Sequence, residues 1–566
     1  MMKKKKIGTL GLGLMVIISL IQCKTVQVKE LKPQLDSYFE QQVFNKLGNF
    51  HEKNMSGLSV IITKNDSIFY KGNFGSADLD KNLPITENTI FDIASVSKQF
   101  TGMAIAILEE KGKIDMNDKI IKYLPDLSEA MSDIAIYQLV HHTSGIRDWP
   151  TLFALKGWQP EERLTLNDIY EILKKQESLN FTPGTEFLYS NSNYNLLARI
   201  VETVTNTTFE SWIHENIFAP IGMENTYFVE SNNSEENVIA KSYVYYGKDY
   251  LSFSNNLSAF GSSSLMSSTA DMLKWLKNFN SKILGGNDAF NKITQKGNLN
   301  NNKTIDYGYG LYITEIIGKK VYYHDGAWGG YRSGIVYFPE ESVGVVILSN
   351  NGTLNPKKII NDIADILFGD ETEKKTKESV STEQEINDEF FALCAGKYQQ
   401  VDDKDCYLTF FKEGDEYFIN MYNKNYKLYA KSDSVYFVKE AKAEFVFHLR
   451  NGKVNSHALE QNGNSYVAIR IAEDKKEANI NYDKLTGIFY SRELDVYYEI
   501  RYKNEQLIIH STVFPKDIIL EHSEDLTFKS NSGLIQSISF LEENGAITNL
   551  VINNPRAKNI IFEKRN

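Results

Sequence analysis

Ser95 and Lys98 lie three residues apart and have the chemistry of a nucleophile and its base. Residues i and i+3 share one face of a helix, so the Lys98 amine can reach the Ser95 hydroxyl. Lysine is a base only when neutral, which requires its pKa to fall from about 10.4 to about 7, a difference of roughly 4–5 kcal/mol. Burial and neighbouring donors can supply it. The pair predicts a serine nucleophile, although so short a motif also occurs by chance on surface helices.

Two later segments carry side chains that suit the same chemistry. In the first, which begins at the turn Pro183-Gly184, Tyr189 can donate or accept a proton and Asn191 offers an amide to a substrate carbonyl. The second is His324-Asp325-Gly326-Ala327, on an edge-like strand where the glycine lets a backbone approach a ligand. Taken alone, each tyrosine or histidine of this kind is more often structural, so the combination carries the prediction.

The segments around these residues predict the elements that position them. After Lys98, the run to Lys111 places Met103, Ala104, Ile107 and Leu108 on one apolar stripe, which anchors a helix in a core. From about residue 30 to 370, strand-like runs alternate with amphipathic helical stretches, such as 58–62 and 344–348 for strands and 194–204 and 269–279 for helices. This mixture predicts an α+β catalytic domain.

The pattern changes after a charged segment at residues 371–388, which predicts a linker. Short strands with period-two alternation follow, separated by turn signals such as Asn451-Gly452 and Asn544-Gly545. A weak repeat begins at Leu393-Cys394-Ala395-Gly396 and again at Leu485-Thr486-Gly487. Two small antiparallel β-barrels or sandwiches are therefore predicted, at residues 389–473 and 482–566.

Composition excludes several classes of function. The 566 residues are 42% apolar and 24% charged, with a net charge of −11 and no basic stripe, so nucleic acid is not an expected partner. Neither HExxH nor CxxC occurs, so no metal or other cofactor is expected. Cys394 and Cys406 fit a disulfide in an exported protein and fit two buried thiols equally well.

The N-terminus has the pattern of an export signal. Lys3 to Lys6 form a positive region, and the apolar stretch from Ile7 to Ile21 is short for a membrane span. The stretch ends at Cys23 in a pattern that resembles a bacterial lipoprotein processing site, although Gln22 departs from the small residue usual there. We expect a signal at residues 1–23, a lipid on Cys23 and a periplasmic-side location at the cell-envelope membrane. An uncleaved anchor and ordinary signal cleavage are the alternatives.

In their order and spacing, the three motifs resemble those of the penicillin-recognising serine hydrolases. That family includes class C β-lactamases, D,D-peptidases, D-aminopeptidases and related esterases. The resemblance extends over about residues 58–352 and includes His141-His142-Thr143-Ser144-Gly145, Gly308-Tyr309-Gly310-Leu311 and Leu348-Ser349-Asn350. It implies a five-stranded antiparallel sheet flanked by helices, with the site between the sheet and a helical lobe. The D-aminopeptidase branch also carries two small C-terminal barrels.

The resemblance also implies a role for each motif residue. Ser95 would be the nucleophile, Lys98 its base and Tyr189 the proton shuttle, the last two titrating as a coupled pair. The backbone N–H groups of Ser95 and Ala327 would form an oxyanion hole. The Asn191 amide would orient the substrate, and His324 would assist Tyr189 or polarise the pocket. In this family, the loop that holds His141 and His142 is mostly architectural.

The third motif favours some members of the family over others. In its β-lactamases the first residue is usually a lysine that faces the drug's carboxylate, whereas this chain has His324. Asp325 replaces the usual Thr or Ser, and an acid aimed at an anionic substrate is unfavourable by roughly 1 kcal/mol even when solvated. Asp325 could instead point away, because alternate strand residues face opposite sides.

We therefore expect a small peptide, amide or ester substrate for the site, and a peptidase or esterase that acts on D-amino-acid-containing peptides, amides or small esters. A class C-like β-lactamase is the alternative within the family. A non-catalytic envelope binding protein that keeps the fold is the alternative of another class.

Overall fold

The computed structural model of the protein describes residues 37–47, 55–229, 238–246, 249–253, 256–369, 384–401, 406–421, 424–440, 443–450, 452–461, 464–471, 480–530 and 532–565. The predicted signal, the lipid-carrying Cys23 and most of the predicted linker lie outside these residues. No helix in the described part of the chain is long and apolar enough to cross a membrane.

A six-stranded antiparallel sheet forms the centre of the N-terminal domain. The domain's strands are β1 Leu58–Lys64, β2 Ser67–Phe74, β3 Ser76–Asp78, β4 Leu83–Pro84, β5 Phe91–Asp92, β6 Leu164–Thr165, β7 Tyr227–Phe228, β8 Ser242–Tyr246, β9 Asp249–Phe253, β10 Leu257–Ser258, β11 Leu265–Ser267, β12 Gly297–Asn298, β13 Thr304–Ile305, β14 Tyr312–Ile316, β15 Lys319–Trp328, β16 Tyr331–Phe338 and β17 Val343–Ser349. The order of strands in the central sheet is β14-β15-β16-β17-β1-β2.

The predicted strands 58–62 and 344–348 pair with each other in the middle of this sheet. Leu58 lies opposite Ser349 and Lys64 opposite Val343, so the first and last strands of the domain are neighbours. Both strands are rich in β-branched residues and nearly every residue is buried, as expected for strands that are covered on both faces. The sheet has six strands rather than the expected five, and hairpins place β2 at one edge and β14 at the other.

Helices cover both faces of the sheet. They are α1 Ser37–Leu47, α2 Lys98–Glu110, α3 Ile136–Val140, α4 Trp149–Lys156, α5 Leu166–Lys174, α6 Asn191–Thr205, α7 Phe209–Ile213, α8 Thr269–Ser281, α9 Gly286–Ile293 and α10 Pro356–Phe368. On one face, α1 and α10 pack against a separate apolar cluster of the sheet. On the other face the large helical lobe surrounds α2, whose residues 98–108 are all buried. This helix therefore lies inside the core rather than on a surface.

The first C-terminal module is a nearly closed antiparallel barrel of nine strands, preceded by helix α11 Asp388–Cys394. Its strands are β18 Gly396–Gln400, β19 Tyr407–Glu413, β20 Glu416–Met421, β21 Lys424–Lys427, β22 Tyr429–Ser432, β23 Val435–Val438, β24 Ala443–Arg450, β25 Lys453–Gln461 and β26 Asn464–Arg470. Cys394 and Cys406 are buried in its core and are not joined in a disulfide, which excludes the disulfide alternative. Burial raises the pKa of Cys394 to about 12.

The second module is a closed eight-stranded barrel that follows helix α12 Tyr482–Leu485. Its strands are β27 Gly487–Ser491, β28 Val496–Lys503, β29 Gln506–His510, β30 Ile518–Glu524, β31 Thr527–Ser530, β32 Ser537–Glu543, β33 Ala546–Asn554 and β34 Ala557–Arg565. The interior of this barrel belongs to the same apolar cluster as the helical lobe, whereas the interior of the first barrel forms a cluster of its own. The second barrel is thus docked onto the catalytic domain.

Candidate active site

Ser95 lies in a short 3-10 turn, Ala94–Ser97, that leads directly into α2. The turn requires a left-handed backbone at Ala94, with φ of +46°, which is unfavourable for a residue with a Cβ. The buried carboxylate of Asp92 holds it, because its Oδ1 accepts a hydrogen bond from the Ala94 N–H at 2.7 Å. Ser95 is only partly buried, so the strained turn presents its hydroxyl at the edge of the helical lobe.

Lys98 is completely buried one turn after Ser95, and three oxygens surround its amine. Its Nζ lies 3.1 Å from Ser95 Oγ, 2.8 Å from Asn191 Oδ1 and 2.7 Å from the carbonyl oxygen of Ser262. The carbonyl of Ser262 comes from a tight turn in which Gly261 has φ of +88°. The predicted contact between Ser95 and Lys98 is therefore present in the structure.

Burial lowers the pKa of Lys98 well below its ordinary value. Asp148 opposes that shift by attraction, and Arg556 adds to it by repulsion. A neutral amine has two N–H groups and one lone pair, and two of its three neighbours, Asn191 Oδ1 and Ser262 O, can only accept. The remaining lone pair can take the Ser95 proton, which is the arrangement that a general base requires.

Tyr189 lies beside this pair, just before the start of α6. Its ring centroid is 5.0 Å from Lys98 Nζ, and its hydroxyl is buried without a standard hydrogen bond. Burial raises its pKa well above the ordinary value, although the neighbouring Ser95 opposes the shift. Tyr189 is thus a neutral, protonated phenol, whereas Lys98 is a neutral amine that can accept a proton.

His142, from the loop that the family resemblance gives a mostly architectural role, packs directly against Tyr189. The two ring centroids are 4.4 Å apart, and His142 is buried with φ of +55°. Its Nδ1 accepts hydrogen bonds from Ser190 N and from Asn193 Nδ2, and its pKa is far below the ordinary value because of burial. A neutral imidazole therefore supports one face of the Tyr189 ring.

The third motif lies on β15, which forms the wall opposite α2. A Cβ at Gly326 would lie 2.5 Å from Ile93 O and 2.9 Å from Ser95 N, so only glycine allows this approach to the nucleophile turn. The strand pairs with β14 only as far as Tyr323, and a free edge begins at His324. The expected edge-like strand, β15, therefore has a neighbour strand on the β14 side along its first half. It forms an edge of the sheet only at the motif.

The direction of Gly326 fixes the direction of its neighbours, because strand residues alternate between faces. His324 shares the site-facing side with Gly326, whereas Asp325 and Ala327 lie on the other side and are exposed. Asp325 is near the positive charge of Lys357 on α10. The objection that Asp325 would repel an anionic substrate is therefore wrong for this site.

His324 is buried, and both of its ring nitrogens have partners. Its Nδ1 lies 2.6 Å from the Asp325 carbonyl oxygen, which can only accept, so Nδ1 carries the proton. Its Nε2 then accepts a hydrogen bond from the Tyr307 hydroxyl at 3.1 Å. Burial and the nearby Lys98 lower the pKa of His324 to about 3. His324 is thus a neutral wall with no hydrogen bond to Tyr189, and the site lacks the cation that β-lactamases place there.

Asn191 connects Lys98 to a buried carboxylate that sequence reasoning missed. The Asn191 Nδ2 lies 3.1 Å from Asp148 Oδ1, and the Asn191 N–H donates to the same oxygen at 2.7 Å. Asp148 in turn forms an ion pair with Arg556 of the second barrel, between Oδ2 and Nη1 at 3.1 Å. Burial raises the Asp148 pKa, and Arg556 opposes that shift.

The structure thus brings six of the predicted site residues together, namely Ser95, Lys98, Tyr189, Asn191, His324 and Gly326. The side chains of Asp325 and Ala327, on the same strand as Gly326, both point away from the site. Sequence reasoning missed Ser262, Asp148 and Arg556. The sequence Gly261-Ser262-Ser263 predicts a turn, but it does not predict that the Ser262 carbonyl contacts Lys98. Within the described residues, no group of three or more His, Cys, Asp or Glu side chains could hold a metal ion.

The fold and the arrangement around Ser95 define a serine hydrolase. A family model described as Beta-lactamase matches residues 35–369, well over half of the chain, and the chain belongs to that family. Among curated proteins, it is similar to Penicillin-binding protein 4* of Bacillus subtilis (strain 168), with 26% identity over 455 residues that cover 76% of this chain and 98% of that protein.

Other relatives agree with this assignment. Protein flp of Staphylococcus aureus (strain N315) is 28% identical over 334 residues, which cover 56% of this chain and 65% of that protein. The octameric penicillin-binding protein homologue from Pyrococcus abyssi has a similar structure, with a TM-score of 0.54, 20% identity, and coverage of 86% of this chain and 99% of that chain. At that identity the structural likeness shows the shared fold alone.

Proposed function

We propose that the protein hydrolyses amide or ester bonds through an acyl-enzyme on Ser95. The observation that carries the proposal is the buried Lys98 amine, with two fixed acceptors and with Ser95 Oγ 3.1 Å away. Lys98 takes the Ser95 proton as the oxygen attacks the substrate carbonyl, and the backbone N–H groups of Ser95 and Ala327 receive the developing oxyanion.

Tyr189 completes the reaction as the group that delivers a proton to the leaving amine or alcohol. Its raised pKa keeps the phenol protonated in the resting enzyme, so a proton is available for the leaving group. In the second half of the reaction the resulting phenolate accepts a proton from water, which attacks the acyl-enzyme. The Lys98 ammonium returns its proton to the Ser95 oxygen as that oxygen leaves, so both groups regain their starting states. The pKa of Lys98 is lowered and that of Tyr189 is raised, so the amine starts without its extra proton and can act as a base. The phenol starts with its proton and can act as an acid.

We propose small peptides, amides or esters with a neutral group at the third motif as the substrate class, including those that contain D-amino acids. Neutral His324 supports this proposal, because it supplies no charge for a substrate carboxylate. The aromatic side chains of Trp158, Trp328 and Phe253 also support it. Trp158 stacks on Trp328 at 6.3 Å, and Phe253 meets Trp328 edge-on at 6.0 Å, beside the motif. Such a surface suits an apolar substrate side chain.

A substrate panel with the purified chain lacking residues 1–23 tests the function. The panel contains D-amino-acid amides, a D-Ala-D-Ala peptide, a short acyl ester and a chromogenic cephalosporin. We expect turnover of an amide or ester, loss of that turnover in Ser95→Ala, and an acyl adduct on Ser95 by mass spectrometry. Turnover that survives Ser95→Ala contradicts the mechanism, rapid cephalosporin turnover favours a β-lactamase, and no turnover of any compound favours a binding protein.

We also propose that the protein is exported and carries a lipid on Cys23. The positive residues 3–6, the apolar stretch 7–21 and the cysteine that follows support this location. Fractionation of cells that express the full chain tests it. We expect the protein in the membrane fraction and its release in Cys23→Ala, whereas a soluble cytoplasmic protein contradicts the proposal.

A further inference from the structure

The hairpin between β33 and β34 of the second barrel lies directly against the active-site loop that precedes α4. The carbonyl oxygen of Arg556, in the hairpin turn, accepts hydrogen bonds from the Asp148 N–H at 3.0 Å and from Asn180 Nδ2 at 3.2 Å. Asn180 also accepts from the Lys558 N–H at 2.7 Å. The turn is therefore bonded through its backbone to the loop that carries Asp148.

Arg147, the neighbour of Asp148, holds the other side of the same hairpin. Its guanidinium is completely buried and donates to the carbonyl oxygens of Lys558 at 2.8 Å and Asn559 at 2.7 Å. It also forms a buried ion pair with Glu493 of the second barrel at 2.7 Å. Two adjacent residues of the catalytic domain thus fix the position of Arg556.

Arg556 is the outer end of a continuous series of contacts that leads to the catalytic amine. Its Nη1 pairs with Asp148 Oδ2, Asp148 Oδ1 accepts from Asn191, and Asn191 Oδ1 accepts from Lys98. The Arg556 guanidinium also lies 5.5 Å from the Tyr189 ring centroid. Each group in this series is fixed by hydrogen bonds, so the charge of Arg556 is held at a set distance from Lys98.

The signs of the charges determine what this arrangement does. A buried carboxylate at Asp148 stabilises the ammonium form of Lys98, which is inactive as a base. The positive charge of Arg556 offsets that attraction. Its side chain remains 49% exposed, so water weakens the effect without removing it.

We propose that Arg556 is a positioning residue of the hydrolase, which pairs with Asp148 and thereby keeps Lys98 neutral. The second barrel is then a working part of the active site, since it supplies this charge. The inference rests on the proposed roles of Ser95 and Lys98, and it assigns to a C-terminal module a catalytic contribution that the family motifs do not contain.

Two pH profiles test the inference: that of kcat/KM for the best substrate, and that of Ser95 labelling by a fluorophosphonate, detected by mass spectrometry. In Arg556→Ala we expect the rising limb of both profiles to move to higher pH by about 0.5–1 unit. The plateau at high pH stays within about threefold of wild type, because the base still forms there. Arg556→Lys, which keeps the positive charge, remains close to the wild-type profile.

A double variant separates the charge effect from a loss of structure. Asp148→Asn alone moves the limb to lower pH, since an unopposed Arg556 disfavours the ammonium. Asp148→Asn combined with Arg556→Ala removes both charges and returns the limb toward wild type. Arg501→Ala, an exposed arginine of the same barrel that bonds to Glu499, is the control and leaves both profiles unchanged.

The outcomes distinguish this inference from the proposed function. If wild type is labelled at Ser95 but turns over no substrate, the substrate proposal fails and the labelling profiles still decide the role of Arg556. If Arg556→Ala keeps the wild-type limb, or lowers the rate equally at every pH, the inference is overturned. Absence of Ser95 labelling in wild type overturns it as well. Thermal unfolding of each variant shows whether it is folded.

Discussion

Asn191 Oδ1 lies 2.8 Å from Lys98 Nζ, so a neutral amide occupies the position from which a carboxylate would hold Lys98 charged. The same side chain donates from Nδ2 to Asp148 Oδ1 at 3.1 Å. One residue thus separates a buried amine from a buried acid and contacts both. The basicity of Lys98 depends on this separation, because a direct amine–carboxylate contact would favour the ammonium.

Asn191→Asp places a carboxylate against Lys98 with almost no change in shape. The new negative charge raises the Lys98 pKa, and the amine then loses its proton only at higher pH. We expect the rising limb of the kcat/KM profile to move to higher pH by about 1 unit or more. Asn167→Asp, on the exposed part of α5, adds the same charge far from Lys98 and is the control. An unchanged limb in Asn191→Asp contradicts the assignment of Lys98 as the base.

Much of the catalytic machinery could be predicted because its parts are local in sequence. Ser95 and Lys98 are held together by one helical turn, and Tyr189 and Asn191 lie two residues apart at the start of a helix. The buried strands 58–62 and 344–348 were predictable from their apolar β-branched runs, and the two C-terminal barrels from their alternation and turns.

The remaining parts of the site depend on contacts that leave no local pattern. Asp148 and Arg556 are 408 residues apart, and neither the acid nor the arginine differs in its sequence surroundings from a solvated charge. Ser262 contributes a backbone carbonyl, which every residue type has. The orientation of Asp325 follows from strand alternation, yet the sequence does not show which face meets the nucleophile until Gly326 is seen against Ser95.

His324→Lys introduces a positive charge at the third motif, where His324 is neutral. The lysine would share the site-facing side of β15 with Gly326 and could hydrogen-bond an anionic drug carboxylate. A charge-assisted bond of this kind predicts a gain of about tenfold or more in kcat/KM for a cephalosporin in His324→Lys. Asp325→Thr, which restores the other β-lactamase residue on the opposite face, changes that rate less than about twofold. A gain from Asp325→Thr alone contradicts the orientation of the strand.

Gly326→Ala tests the close approach of β15 to the nucleophile. The added methyl group would lie 2.9 Å from Ser95 N and 2.5 Å from Ile93 O, which is too close for carbon. We expect the free energy of unfolding to fall by about 1–3 kcal/mol. Displacement of Ser95 lowers kcat/KM by about 100-fold. Lys320→Ala at an exposed position of the same strand is the control, and full activity in Gly326→Ala contradicts the close approach.

Glu493→Gln tests how the second barrel is held on the catalytic domain. The substitution keeps the shape of the side chain but leaves the buried guanidinium of Arg147 without its counter-charge. Breaking one partner of a buried pair predicts a loss of about 3 kcal/mol in the free energy of unfolding, measured by urea denaturation. Arg492→Ala, which removes a 63% exposed partner of Glu563, is the matched control and changes stability by less than about 1 kcal/mol.

Because Arg147 and Asp148 hold the same hairpin, loss of the docking contact in Glu493→Gln also moves Arg556 away from Asp148. Glu493→Gln is therefore expected to raise the pH at which activity appears. Equal stability in the two variants contradicts a docking role for the Arg147–Glu493 pair.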